Sequence, residues 1–177
     1  VAIIALNIAE RLAEDMQQPK LKGFMHVLQA EAHEFILNRE STRGIAALHA
    51  SGFTYDMLVF PEHLPAVLQL LQKFPEQAFV IDHIAKPLIR EGHMDQWEKN
   101  IRAIALHKNV YCKISGMVTE ADWQTWKEAD FVPYLDVVTG SFGTERLMYG
   151  SDWPVCLVAA SYEQVMGIGE KYFSSFS

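Results

Sequence analysis

"ERLMYGSDWPVC", residues 145–156, changes character halfway along. Leu147, Met148 and Tyr149 form an apolar run suited to a buried strand, and Gly150 allows the backbone to turn. Asp152 then stands where the strand has just ended. A carboxylate at such a place has a bland reading, because aspartate satisfies free backbone N–H groups at turns and helix starts and Pro154 enforces the bend. The alternative is chemical, and it depends on what the other strands end in.

The same passage from a short apolar run into polar residues recurs along the chain. Strands are expected at 2–6, 21–25, 55–60, 78–81, 110–114 and 146–149. Between them apolar residues recur at helical spacing: Ile8, Leu12, Met16; Leu64, Leu68, Leu71; Trp97, Ile101, Ile104; and Leu135, Val138, Phe142. A final helix is expected from Ser161, where Ser161 and Gln164 form a capping box ahead of Val165 and Ile168. Such alternation predicts an α/β fold with a parallel sheet, and the apolar strands predict burial on both faces. No linker, low-complexity stretch or close repeat divides the chain, so residues 1–177 read as one domain.

Composition narrows the function classes. Half of the 177 residues are hydrophobic, enough for one substantial core. With 15 basic against 22 acidic residues the formal charge is −7, and no basic block appears, which argues against nucleic acid or an anionic membrane as partner. Cys112 and Cys156 are far apart and form no C-x-x-C pair, so neither a disulfide framework nor a zinc ribbon is indicated. The opening "VAIIAL" is too short for a signal-peptide core, and no apolar run approaches the ~20 residues of a membrane span. A soluble, cytoplasmic protein acting on small molecules is the expectation.

In parallel α/β folds the loops after the strands share one rim, and chemistry sits there. That rim is rich in chemistry here. The expected strands lead into His26, into Glu62 and His63, into Asp82, His83 and Lys86, into Ser115 and into Asp152. Imidazoles and carboxylates brought together can bind a divalent metal or move protons. His49 and His107 fall in helical patterns, and His33 and His93 in polar connections, which gives those four no catalytic role. "PEHLP" at 61–65 also reads as an ordinary helix start, which weakens Glu62 and His63.

"KGFMHVLQ" (22–29), "FVIDHIAKP" (79–87), "VYCKISGMVTEADW" (110–123) and "ERLMYGSDWPVCLVAASY" (145–162) together resemble the amidohydrolase-related lactonases. These are TIM-barrel hydrolases that include enzymes opening fuconolactone and rhamnonolactone. The resemblance runs through essentially the whole chain and implies a (β/α)8 barrel. A complete barrel takes about 250 residues, so this chain is expected to hold the third through eighth strands and to lack the first two βα units. The H-x-H pair with which such families end the first strand is absent, and Met25 stands where "GFRH"-like relatives carry arginine.

The resemblance also implies roles. Asp152 is expected to act as general base on water, with His83 beside it as a metal ligand or as a donor to the carbonyl oxygen. His26 is expected in the same site, and Lys86 holds a substrate oxygen or pairs with Asp82. Trp153 is either an apolar wall for a sugar ring or a packed barrel-top aromatic, and Ser115 is a further contact. A divalent zinc or manganese ion would sit on His26, His83 and Asp152, with metal-free hydrolysis as the other reading. The expected partner is a small sugar-acid lactone, and a homo-oligomer is compatible with the sequence. A metal-dependent decarboxylase on the same barrel and a catalytically incomplete segment are the alternatives.

Overall fold

Five short strands, all parallel, form one sheet in the order in which the chain lays them down. They are β1 (Gly23–Val27), β2 (Thr54–Leu58), β3 (Phe79–Ile81), β4 (Val110–Ile114) and β5 (Leu147–Tyr149). The computed structural model describes residues 8–176, so the strand expected at 2–6 lies outside the described residues. Parallel neighbours need crossovers, which helices supply: α1 (Ile8–Asp15) precedes β1, and α2 (Arg39–Ala50), α3 (Leu64–Lys73) and α4 (Asp95–Ala105) each link successive strands. A short α5 (Met117–Glu120) and α6 (Val132–Phe142) lead to β5, and α7 (Tyr162–Phe173) follows it. This is the wall of a TIM barrel, as expected, with strand and helix alternating.

The helix starts obey local chemistry. Asn38 caps α2 by accepting the Ser41 N–H at 2.7 Å, and Ser161 and Gln164 close the expected capping box on α7. Buried stripes then fasten the helices to the sheet, such as Trp97, Ile101 and Ile104 on α4.

The two faces of the sheet differ, which corrects the expectation of burial on both. Directly paired residues in a parallel sheet point the same way. Tyr55, Met57, Phe79, Ile81, Val110, Cys112 and Ile114 lie on the helix-covered face and are fully buried. The other face lines the concave side of the wall. There Val80 is buried, but Met25 is 53% exposed, Val27 48% and Tyr111 40%. The cause is geometric: five strands make an arc, and among the described residues no strand lies opposite to cover them. No helix among the described residues is long and apolar enough to cross a membrane.

Candidate active site

Three successive strand ends carry the site. β3 stops at Ile81, and the four residues that follow Asp82 all take left-handed backbone: His83 (φ 51°), Ile84 (47°), Ala85 (59°) and Lys86 (46°). None is glycine, and such conformations cost L-residues roughly 1–2 kcal/mol each, so the surroundings must impose this turn. The turn aims the His83 ring at the next two strand ends. Its Nδ1 lies 2.8 Å from Ser115 Oγ, just past β4. Its Nε2 lies 3.7 Å from Asp152 Oδ1, beyond β5. Gly116 leaves room for the ring: at φ +64° it is left-handed, and a Cβ there would come within 3.0 Å of His83 Nδ1.

Asp152 is itself left-handed, at φ 57°. The bend after β5 therefore falls on the aspartate, whereas Gly150, the residue expected to make it, has no positive φ. The capping task falls to Ser151, whose Oγ accepts the Trp153 N–H at 3.2 Å, while the Asp152 carboxylate turns to His83. Trp153 follows, 63% exposed at the rim, and joins Pro154 through a cis peptide.

Charge around His83 is balanced from four sides. Burial pushes the imidazole below its ordinary value of 6.5, Asp152 and Asp82 pull it back up, and Lys86 and Lys113 push it down again, with a net lowering. The ring is therefore neutral at neutral pH. Lys86 does not pair with Asp82; it pairs with Glu120 at the end of α5. Asp82 pairs instead with Lys113 of β4 at 2.7 Å, and Lys113 also reaches Asp56 of β2 at 2.6 Å. Burial works against the Lys113 charge, but hydrogen bonds to Asp56 and Asp82 outweigh it and raise the pKa above its ordinary value.

His26 is not brought to this site. It shares the register of Met57, on the helix-covered face, where its ring stacks on Phe35 and its Nε2 lies 3.4 Å from Glu31. His63 fits its bland reading: its Nδ1 accepts the Phe60 N–H at 3.3 Å and caps the 3-10 turn Pro61–His63. A cleft of about 390 Å³ lined by Arg90, Trp126 and Tyr134 includes neither His83 nor Asp152, which face the open concave side.

A family profile described as Amidohydrolase matches residues 3–169. The chain belongs to the amidohydrolase family. It is 40% identical over 182 residues to an L-fucono-1,5-lactonase of Burkholderia multivorans, across 97% of this chain and 61% of that protein. It is 37% identical over 155 residues to an L-fucono-1,5-lactonase of Burkholderia ambifaria, across 85% of this chain and 52% of that protein. A crystal structure of an amidohydrolase from Burkholderia multivorans with bound zinc matches at 39% identity and a TM-score of 0.93, covering 99% of this chain and 64% of that one. The chain thus spans about three fifths of the length of the first of these relatives.

The donors of the candidate site can be tested against a metal. Two ligands on a tetrahedral ion with bonds of about 2.1 Å lie about 3.4 Å apart. His83 Nε2 and Asp152 Oδ1, at 3.7 Å, fit as two such ligands. Among the described residues no group of three or more His, Cys, Asp or Glu completes the set, and His26, expected as the third, points elsewhere. Sequence reasoning missed Asp56 and Lys113. The available signal was a charge inside each of the apolar strands "TYDML" and "VYCKI", which a sheet tolerates only when the charges are paired.

Proposed function

We propose that the protein hydrolyses a small lactone, most suitably a sugar-acid lactone, with Asp152 as general base. The observation that carries this reading is the convergence of His83 and Asp152, 3.7 Å apart and each on left-handed backbone at a strand end. The names of the Burkholderia relatives support the substrate class, and the exposed Trp153 beside Asp152 offers an apolar face to a sugar ring.

The chemistry divides among few groups. Asp152 accepts a proton from water as the water oxygen bonds to the lactone carbonyl carbon. The tetrahedral adduct then collapses, the bond from that carbon to the ring oxygen breaks, and Asp152 returns the proton to the departing alkoxide. Its other oxygen keeps its place near His83. The neutral His83 ring works in one of two tautomers. With Nδ1–H donating to Ser115 Oγ, the Nε2 lone pair is free for an ion; with Nε2 protonated, it donates toward the developing oxyanion while Nδ1 accepts from Ser115. Where zinc is bound, as in the Burkholderia crystal structure, His83 and Asp152 would hold it, and it would polarise the carbonyl as a Lewis acid.

The test is Asp152→Asn on a panel of aldonolactones that includes L-fucono-1,5-lactone, followed by proton release. Turnover should fall at least about a hundredfold with the fold intact. Near-normal lactone opening by the folded variant would overturn the assignment. So would a wild-type protein that opens no lactone and releases carbon dioxide from an aromatic acid.

A further inference from the structure

The left-handed turn from His83 to Lys86 needs an explanation of its own, because nothing in "DHIAKP" favours it. It is held from three directions. Before it, Asp82 is fixed by Lys113. In its middle, the indole N–H of Trp97, on the first turn of α4, donates to the Ile84 carbonyl at 2.8 Å. At its end, Lys86 pairs with Glu120, whose backbone carbonyl also accepts the Arg90 N–H at 3.0 Å. Within the turn, Ile84 and Ala85 are fully buried, and Lys86 N–H closes onto the His83 carbonyl at 2.8 Å.

We propose that Trp97 and Glu120 are positioning residues for hydrolysis at His83 and Asp152, acting through the turn that they clamp. Among the described residues, neither side chain makes a hydrogen bond or ion pair with the His83 ring. Trp97 reaches the residue after it, and Glu120 reaches the residue three beyond it. Trp97 is 2% exposed and its ring packs against Tyr134 at 5.3 Å, so packing alone would account for a tryptophan there. Packing does not account for an indole N–H spent on a buried carbonyl in the middle of a strained turn. Without that donor the buried Ile84 carbonyl loses its partner, and the turn is free to relax toward right-handed backbone, swinging the His83 ring away from Ser115 and Asp152. The proposal rests on the hydrolytic reading above, but its structural half can be judged without it.

The experiment is Trp97→Phe, which keeps an aromatic ring against Tyr134 and removes only the donor, with Glu120→Gln as a second variant that keeps the side-chain length and removes the charge. If these residues position the site, kcat falls about tenfold to a hundredfold, the scale of a displacement near 1 Å, while KM stays within about twofold. In the same samples the His83 ring resonances, assigned by their loss in His83→Asn, should shift, and a crystal structure of the variant should show φ of Ile84 turned negative. A merely structural role would lower the melting temperature and leave kcat per folded molecule and the His83 resonances unchanged, which would overturn the proposal. Should the wild type open no lactone, the hydrolytic reading falls, and the resonances and the variant crystal structure alone decide the clamp. If Trp97→Phe does not fold, Glu120→Gln carries the same two readouts.

Discussion

At the scale of single residues, the site depends on backbone that its own side chains disfavour. His83 and Asp152 are the proposed reactive groups and both are left-handed, while Gly116 beside the His83 ring is left-handed without cost and makes room for the imidazole. This burial has a consequence for pH. The folded imidazole holds its proton less tightly than the ordinary value of 6.5, so the unfolded chain takes up the proton first as the pH falls. Stability is therefore lost as the pH drops below about 6.5, and the loss ends once the folded ring protonates as well. Melting temperatures at pH 7.5 and 5.5 check this: the wild type should lose more on acidification than His83→Asn, and equal losses would contradict it. His83 and Asp152 are legible from sequence as polar residues just after apolar runs. The His26 placement is not, because a histidine at a strand's last residue has either face open to it, and only the register beside buried Met57 decides which.

At the scale of elements, the strands are legible because apolar runs end in polar residues at regular intervals, and β4 matches its expected bounds. The helix α2 leaves a fainter trace, since Gly44 interrupts it and Ile45 and Leu48 are its only large buried side chains. Least legible is the charge network across β2, β3 and β4, because a lone Asp or Lys within a strand signals one polar face and says nothing of its partner. Lys113 there pairs with two carboxylates, Asp56 and Asp82, and Asp82 is only 4% exposed. Lys113→Met would leave both uncompensated. The loss should be about 1–3 kcal/mol in denaturant titration, below the figure for a fully buried pair because the lysine is partly solvated. Adding Asp56→Asn and Asp82→Asn should recover part of it. A Lys113→Met protein as stable as the wild type would show that the network carries no stabilising charge.

At the scale of the whole molecule, the arc of five strands leaves apolar side chains exposed on the concave face, on either side of the Asp56–Lys113 pair. Met25, Val27, Tyr111 and Met148 are exposed there, and β1 and β5 are edge strands among the described residues. Unpaired parallel edges and exposed apolar side chains beside them invite pairing with another chain. The 177-residue chain should therefore associate in a concentration-dependent way, read by size-exclusion chromatography with light scattering, and should bind a hydrophobic dye. Two substitutions test the cause because their register neighbours can receive them. Met25 pairs with Asp56 and Met148 with Lys113, so Met25→Arg and Met148→Glu each place a charge beside an opposite one about 4.8 Å away across the sheet. The arginine also restores the residue that the sequence resemblance leads one to expect at that position. The double variant should be more monomeric and bind less dye, with unchanged helical circular dichroism. A wild-type chain that is monomeric at all concentrations and silent to the dye would mean that the concave face is covered in solution, and the open arc would then be the wrong description of this surface.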